Sequence, residues 1–300
     1  MTTDANSSAI NKAVKTAVLA GIVLFEPEPE RLWENLDAVL PQVNEVLLVD
    51  NGSGSIKSIQ EDMNRRSAGR GLSEKMTWIL NESNQGIASA LDTIMSYAKE
   101  KQYSWVLTLD QDSVALPGLI DQYLFYTDRH EIGQMGCRIR DRNFSEIQDT
   151  ENHSDPSGYK EVPFVITSGS FMNCAWYEKT PGYDTKMFID SVDVDISYAL
   201  RKAGAKVIEL PFEGLLHEIG HGRNVKLFGR SYIAYNHSAE RNYYIARNHL
   251  YLQKKYPEEI SRTHSYLYEL RMELIILLYE EDKWKKLKKR WKGIRDRKKL

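Results

Sequence analysis

Two carboxylates, Asp110 and Asp112, sit two residues apart in LTLDQDS, Leu107 to Ser113. Side chains at i and i+2 of a strand face one side, so at a strand end both can reach one ion. Carboxylate oxygens suit Mg2+ or Mn2+, which keep waters and substrate phosphates as further ligands. Such an ion would neutralise charge growing on a diphosphate leaving group. The plainer reading is a pair of solvated turn acids near the helix start at Pro117. A D-x-D pair alone does not decide between them. The run WVLTL before it favours a strand end and hence a site.

A second acidic cluster, Asp190, Asp193 and Asp195, lies in FIDSVDVDIS. One of these carboxylates could serve as a general base toward an acceptor hydroxyl. Equally, acids are favoured in the first turn of a helix opening at Val192. His217, in LLHEIGHG, is a candidate third ion ligand or phosphate contact, with His221 as the nearby alternative. HEIGH has the spacing of a zinc-protease motif, but Gly220, Pro211 and Gly214 argue against the helix such a motif needs. Arg223, Lys226, Arg230, Tyr243, Tyr244 and Arg247 form a basic and aromatic set able to hold a diphosphate, or an ordinary helical surface.

The elements that must position these groups alternate regularly. Apolar runs predict strands at VLAGIVLF, Glu45 to Asp50, Met76 to Leu80 and Trp105 to Leu109. Helical spacing separates them at Arg31 to Leu40, Ile56 to Arg66 and Ile87 to Ala98. This βα rhythm predicts a three-layer α/β/α domain with a mostly parallel central sheet. Asp50, Asn81 and Asp110 then fall at carboxyl ends of strands, where open α/β sheets bind ligands. Further on, the pattern predicts a helix at Gly118 to Tyr126 and a loop from Asp141 to Lys160. It then predicts a strand at Phe164 to Thr167, a helix at Val194 to Lys202, a strand at Lys206 to Leu210, and a turn-rich GLLHEIGHG.

The chain has 300 residues with a formal net charge of -2, which argues against a dedicated nucleic-acid binder. Its two cysteines, Cys137 and Cys174, suggest no disulfide framework and read as small buried hydrophobes. The N-terminal apolar stretch is short and runs into acidic residues, so it reads as a first strand and not as a signal peptide. The expected organisation is a disordered lead (residues 1–16), a catalytic domain (17–250) and a C-terminal helical extension (251–300).

The ordered motifs GIVLFEP, LLVDNGS, NQGIASALD, LTLDQDS, the GSF turn, YDTKMFIDSVDVD, LLHEIG and YYIARN together resemble bacterial family 2 glycosyltransferases of the GT-A fold. Within them the chain is most similar to the rhamnosyltransferase-like branch, over roughly residues 18–250. The resemblance implies an inverting, metal-dependent transfer from a nucleotide-sugar donor. Asp50 would contact the base, with Asn51 and Ser53 nearby, and Asn84, Gln85 and Gly86 would line the donor pocket. Asp110 and Asp112, with Gln111 between them, would form the metal and diphosphate site, joined by His217 and by Arg223, Tyr244 and Arg247. Asp193 would be the base, with Asp195 and Asp190 in reserve. The branch suggests dTDP-L-rhamnose as donor, Mg2+ or Mn2+ as cofactor, and a lipid-linked saccharide acceptor in surface polysaccharide assembly. A UDP-hexose donor is the alternative within this class. A nucleotidyltransferase would show a Gly-rich, basic segment after the first strand, where this chain has Glu26, Pro27 and Glu28. A non-catalytic binding scaffold would not need Asp110, Asp112 and Asp193.

The tail from Lys283 to Leu300 holds 11 Lys and Arg against one acid, giving +10 and leaving -12 for the rest. Trp284, Leu287, Trp291 and Ile294 recur at helical spacing within it. Tryptophan amid basic residues suits an anionic membrane surface, so peripheral attachment to the cytoplasmic face of the bacterial plasma membrane is expected. Packing on the domain itself or in a homodimer is the competing expectation.

Overall fold

The computed structural model describes residues 16–142, 158–217 and 222–300. The expected lead, apart from Thr16, lies outside these residues, as do most of the expected 141–160 loop and His221.

Strands β1 (Val18–Leu24), β2 (Glu45–Asp50), β3 (Met76–Leu80) and β4 (Trp105–Asp110) alternate with helices α1 (Pro29–Val39), α2 (Ile56–Ala68) and α3 (Ile87–Glu100). These four strands pair in parallel in the order 3-2-1-4. Every residue of β1 but Val23 is buried, as are five of six in β2, because helices cover both faces. Pro29 opens α1, where its missing N–H and fixed φ cost nothing. Two cores result, one on each side of the sheet.

Beyond β4 come β5 (Val114–Ala115), α4 (Leu119–Leu124), β6 (Ile132–Asp141), β7 (Lys160–Glu161), β8 (Ser170–Asn173), α5 (Cys174–Tyr177), α6 (Val192–Lys202) and β9 (Lys206–His217). The sheet continues in the order 4-8-6-9-5, with β7 also on β9. This half is mixed: β8 runs antiparallel to β4 and β6, while β9 is parallel to β6.

Two expectations change here. Phe164–Thr167 is not a strand; the strand starts at Ser170. Residues 167–170 turn instead, the Ser170 N–H donating to the Thr167 carbonyl, which also accepts the Thr108 hydroxyl. The pairing register with β4 then brings Phe171 between the rings of Trp105 and Tyr123, stacked on both. That aromatic burial outweighs the FVIT run, whose Phe164 stays exposed. Second, β9 does not stop at Leu210 but continues to His217. Pro211, which cannot donate to a ladder, falls inside a register shift between the Cys137–Leu210 and Arg138–Glu213 pairs. The turn-rich reading of GLLH is thereby replaced by strand, and His217 sits at its end.

The remainder comprises a hairpin, β10 (Arg223–Leu227) and β11 (Arg230–Ala234), and helices α7 (Ala239–Lys255), α8 (Arg262–Tyr279) and α9 (Lys283–Asp296). The hairpin had no alternating signal strong enough to predict it. Helix α7 runs without a break through residue 250, where the extension was expected to begin. In α9, Leu287 turns inward as the spacing suggests, but Trp284 and Trp291 face solvent. Both cysteines are free and buried, and burial pushes the Cys137 thiol up to about 11. Among the described residues no helix is long and apolar enough to cross a membrane.

Candidate active site at the carboxyl ends of the strands

The loops after β1, β2 and β4 are stitched together by short polar links. The Asp50 carboxylate is wholly buried and accepts from the N–H groups of Gly52 and Ser53, each at 2.9 Å, and from the Ser53 hydroxyl at 2.5 Å. It therefore shapes the NGS turn from within. Ser53 Oγ in turn accepts the Glu26 N–H, and Glu26 accepts the Gly54 N–H. Gln111 exchanges two hydrogen bonds with the Phe25 backbone, tying the D-Q-D turn to the loop after β1.

The loop after β3 joins them. Asn51 donates to the Gly86 carbonyl and accepts from Asn81. Asn84 accepts the Gly86 N–H, and Gln85 accepts the Ser89 hydroxyl. Gly86 has φ +87°, and a Cβ there would lie 2.5 Å from the Phe188 carbonyl oxygen. Only glycine lets the donor-side loop approach the segment before α6 this closely.

Asp110, Asp112 and His217 converge at the ends of β4 and β9. His217 Nε2 lies 3.9 Å from Asp110 Oδ2, and Nδ1 lies 4.0 Å from Asp112 Oδ1. A buried serine pair fixes the imidazole. Ser113 Oγ and His217 Nδ1 share a hydrogen bond of 2.8 Å; the Ser168 hydroxyl donates to Ser113, and the Asp110 N–H donates to Ser168. Asn35 of α1 donates to the Asp110 carbonyl at 2.7 Å. In the tautomer that directs Nδ1–H to Ser113, Nε2 carries a lone pair on the Asp110 side, the form a cation ligand needs. Burial pushes the Asp110 carboxyl up; His217 opposes this and Asp112 adds to it.

The donor set, two carboxylates and an imidazole, fits a hard or borderline divalent cation. Among the described residues, however, no three such side chains close around an ion by themselves. The set matches a cation completed by water and substrate phosphate, and not a protein-only cage.

The three acids near α6 separate sharply. Asp190 pairs with Arg241 of α7 at 3.1 Å, and Asp195 is buried against Lys255 of α7 at 2.7 Å. Asp193 makes no ion pair among the described residues; its Oδ1 accepts the Val194 N–H. It is half-buried, and its carboxyl is pushed up to about 6 by burial, with Asp110 and Asp190 as repelling neighbours. Asp193 and Asp195 lie about 200° apart around the helix, so only one can face the cleft.

The segment leading to Asp193 is strained. Phe188, Asp190 and Ser191 all have positive φ, of 65°, 67° and 62°. Helix α7 holds it there. Asn248 Nδ2 donates to the carbonyls of Met187, Ile189 and Asp190, and Arg247 donates to those of Lys186 and Met187. Tyr244 stacks on Phe188 beneath the Arg247 guanidinium. Arg247 and Tyr244 are thus engaged in bracing the loop. Arg223 is bound to the Tyr279 carbonyl on the hairpin side. The basic side chain whose charge reaches both Asp190 and Asp110 is Arg241. Arg241, Asn248, Ser113, Ser168 and Asn35 were not singled out from the sequence. A polar Asn inside the helical run NYYIARNH was the one signal that pointed to any of them.

An open α/β sheet carrying an acidic strand end opposite a helix-borne carboxylate defines a GT-A transferase fold. The solved structures agree. S. aureus TarS matches 89% of this chain with a TM-score of 0.54 at 12% identity. GalNAc-T7, crystallised with UDP, GalNAc and Mn2+, matches 71% with a TM-score of 0.54 at 14% identity. The chain spans 44% of each of those longer proteins.

The chain belongs to glycosyl transferase family 2, whose sequence pattern matches residues 22–189. It is also 28% identical over 255 residues to the dTDP-rhamnosyl transferase RfbF of Shigella flexneri, covering 79% of this chain and 80% of that one.

Proposed function

We propose that this glycosyltransferase moves L-rhamnose, with inversion, from dTDP-L-rhamnose to a lipid-linked saccharide acceptor in bacterial surface polysaccharide synthesis. The observation that carries the mechanism is Asp193: among the described residues the one carboxylate of its cluster without an ion pair, half-buried, and raised to about 6 by burial and by Asp110 and Asp190. A group with that affinity for protons is largely ionised at neutral pH yet basic enough to take a hydroxyl proton. Asp193 would hold the acceptor hydroxyl and remove its proton as the oxygen attacks the anomeric carbon. The C–O bond to the nucleotide diphosphate breaks on the opposite face, which inverts the configuration.

The loops bearing Asn51, Ser53, Asn84, Gln85, Gly86 and Gln111, shaped by Asp50, would take the nucleotide side of the donor. Asp110, Asp112 and His217 would hold Mg2+ or Mn2+; when bound, the ion supplies charge neutralisation for the departing diphosphate. The Mn2+ bound with UDP in the GalNAc-T7 crystal structure supports such an ion in this fold. Arg241 would add a second positive charge on that side. The rhamnose assignment rests on the likeness to RfbF.

A panel of dTDP- and UDP-sugars with Mg2+ or Mn2+ tests this, scored by donor hydrolysis and by transfer to lipid-linked acceptors. Turnover of dTDP-L-rhamnose alone is expected. Preference for a UDP-hexose would replace the donor while keeping the chemistry, and indifference to chelation would remove the metal.

A further inference from the structure

Helix α9 divides its residues in a way the sequence spacing does not reveal. Lys286, Leu287, Arg290 and Gly293 are buried against the protein. Lys286 is neutralised by Glu280, and Arg290 by Glu269. The outer face presents Trp284, Lys288, Trp291 and Arg295 at intervals of four, three and four, one line along the helix. Trp284 is 74% exposed and Trp291 54%. Lys283, Lys285, Lys288, Arg295 and Lys298 make no ion pair among the described residues.

Helix α8 extends this surface. Trp291 Nε1 donates to Glu273 of α8 at 2.9 Å. On α8, Leu270 and Leu277 flank Glu273 at i−3 and i+4, and Leu267 and Leu278 lie further round the exposed face; all four are between 40% and 60% exposed. Four leucines and two tryptophans in solvent, bordered by uncompensated cations, form an amphipathic surface on two packed helices.

We propose that the outer face of α8 and α9 docks on an anionic phospholipid surface. Charge decides between the possible occupants. Two copies meeting through this face would bring the unpaired Lys283, Lys285, Lys288, Arg295 and Lys298 of each together, whereas acidic headgroups complement them. The tryptophans and leucines would enter the headgroup boundary while the cations bind lipid phosphates.

The surface is also firmly joined to the catalytic unit. A Cβ on Gly293 would lie 2.3 Å from the Tyr243 carbonyl oxygen, so α9 and α7 touch backbone to backbone. Helix α7 carries the Arg241, Arg247 and Asn248 contacts that hold the loop before Asp193. Docking would therefore fix the orientation of the cleft relative to the bilayer. The inference rests on the proposed function only for the reason a membrane is useful, namely a lipid-linked acceptor.

The full chain should co-sediment with phosphatidylcholine vesicles containing phosphatidylglycerol and not with phosphatidylcholine alone, and added salt should weaken it. Lys288→Glu with Arg295→Glu should lower the apparent affinity by at least about 25-fold, since each cation lost near such a surface is worth about a factor of five and the new carboxylates add repulsion. Trp284→Ser with Trp291→Ser should also release the protein. Both variants should retain wild-type circular dichroism and soluble donor hydrolysis, which separates failure of docking from failure of the reaction. Absence of vesicle binding by the wild type, or binding indifferent to both variants, would overturn the proposal. So would a concentration-dependent dimer in sedimentation velocity that either variant dissolves without any vesicle binding.

Discussion

Replacing Asn248 with leucine should damage catalysis far more than folding. The side chain is wholly buried, and its Nδ2 lies 2.8 to 3.0 Å from three carbonyl oxygens of the 187–190 loop. Two N–H bonds are shared among those three acceptors. Losing both removes about 2 kcal/mol net, and imperfectly satisfied buried carbonyls raise the cost to roughly 2–4 kcal/mol. The loop stores strain of its own, at about 1–3 kcal/mol for each of its three positive-φ residues. Released from Asn248, it should relax toward ordinary backbone and carry Asp193 with it. A displacement near 1 Å at the base lowers turnover on the order of a hundredfold. Differential scanning fluorimetry should show a fall of roughly 5–10 °C, on the scale expected for a domain of this size. Transfer assays should show the loss mainly in kcat. Wild-type turnover in a destabilised Asn248→Leu protein would refute the idea that α7 positions the base.

Asp193→Asn should lower transfer by roughly a hundredfold to ten-thousandfold while preserving the thermal shift given by the nucleotide. In the parent protein the base must be ionised, so the rate should fall about tenfold per pH unit below pH 6 and level off above it. Residual turnover in Asp193→Asn should lack that acidic limb; retention of the limb would assign the base elsewhere. Asp112→Ala should remove both activity and the Mn2+-dependent shift in melting temperature, and an unchanged metal shift would dismiss the Asp110–Asp112–His217 assignment. Arg290→Met leaves Glu269 buried and unpaired, which should cost about 3–5 kcal/mol in urea unfolding. Adding Glu269→Leu should recover most of it, and no recovery would show that the pair is not the source.

The first half of the fold was readable because its chemistry is local. Buried parallel strands are continuous apolar runs, and β2 and β3 have the bounds that EVLLVD and MTWIL predict. The position of Asp110 at a strand end followed from the same logic. The later strands were obscured by competition between local signals and distant partners. Pro211 reads as a strand breaker until the register shift opposite Arg138 is known. The division of Asp190, Asp193 and Asp195 depends on Arg241 and Lys255, about fifty and sixty residues further along the chain. A helical wheel alone would have shown that Asp193 and Asp195 face apart, but not which of them meets a lysine.

The same distant partners bear on where the catalytic unit ends. Arg241, Arg247, Asn248 and Lys255 of α7 all reach residues 184–195, and α9 packs backbone to backbone on α7 at Gly293. Arg290 supplies the partner for Glu269 and also donates to Asn242 of α7, while Lys286 neutralises Glu280. Removing residues 283–300 would therefore strip two buried carboxylates of their cations as well as one face of α7. If α9 were an appendage, the truncated chain would melt at the parental temperature and hydrolyse donor at the parental rate. The contacts predict otherwise: a lower melting temperature and reduced kcat, even with water as the acceptor and no membrane present. A truncation that leaves both unchanged would separate the tail from the site and restrict it to docking.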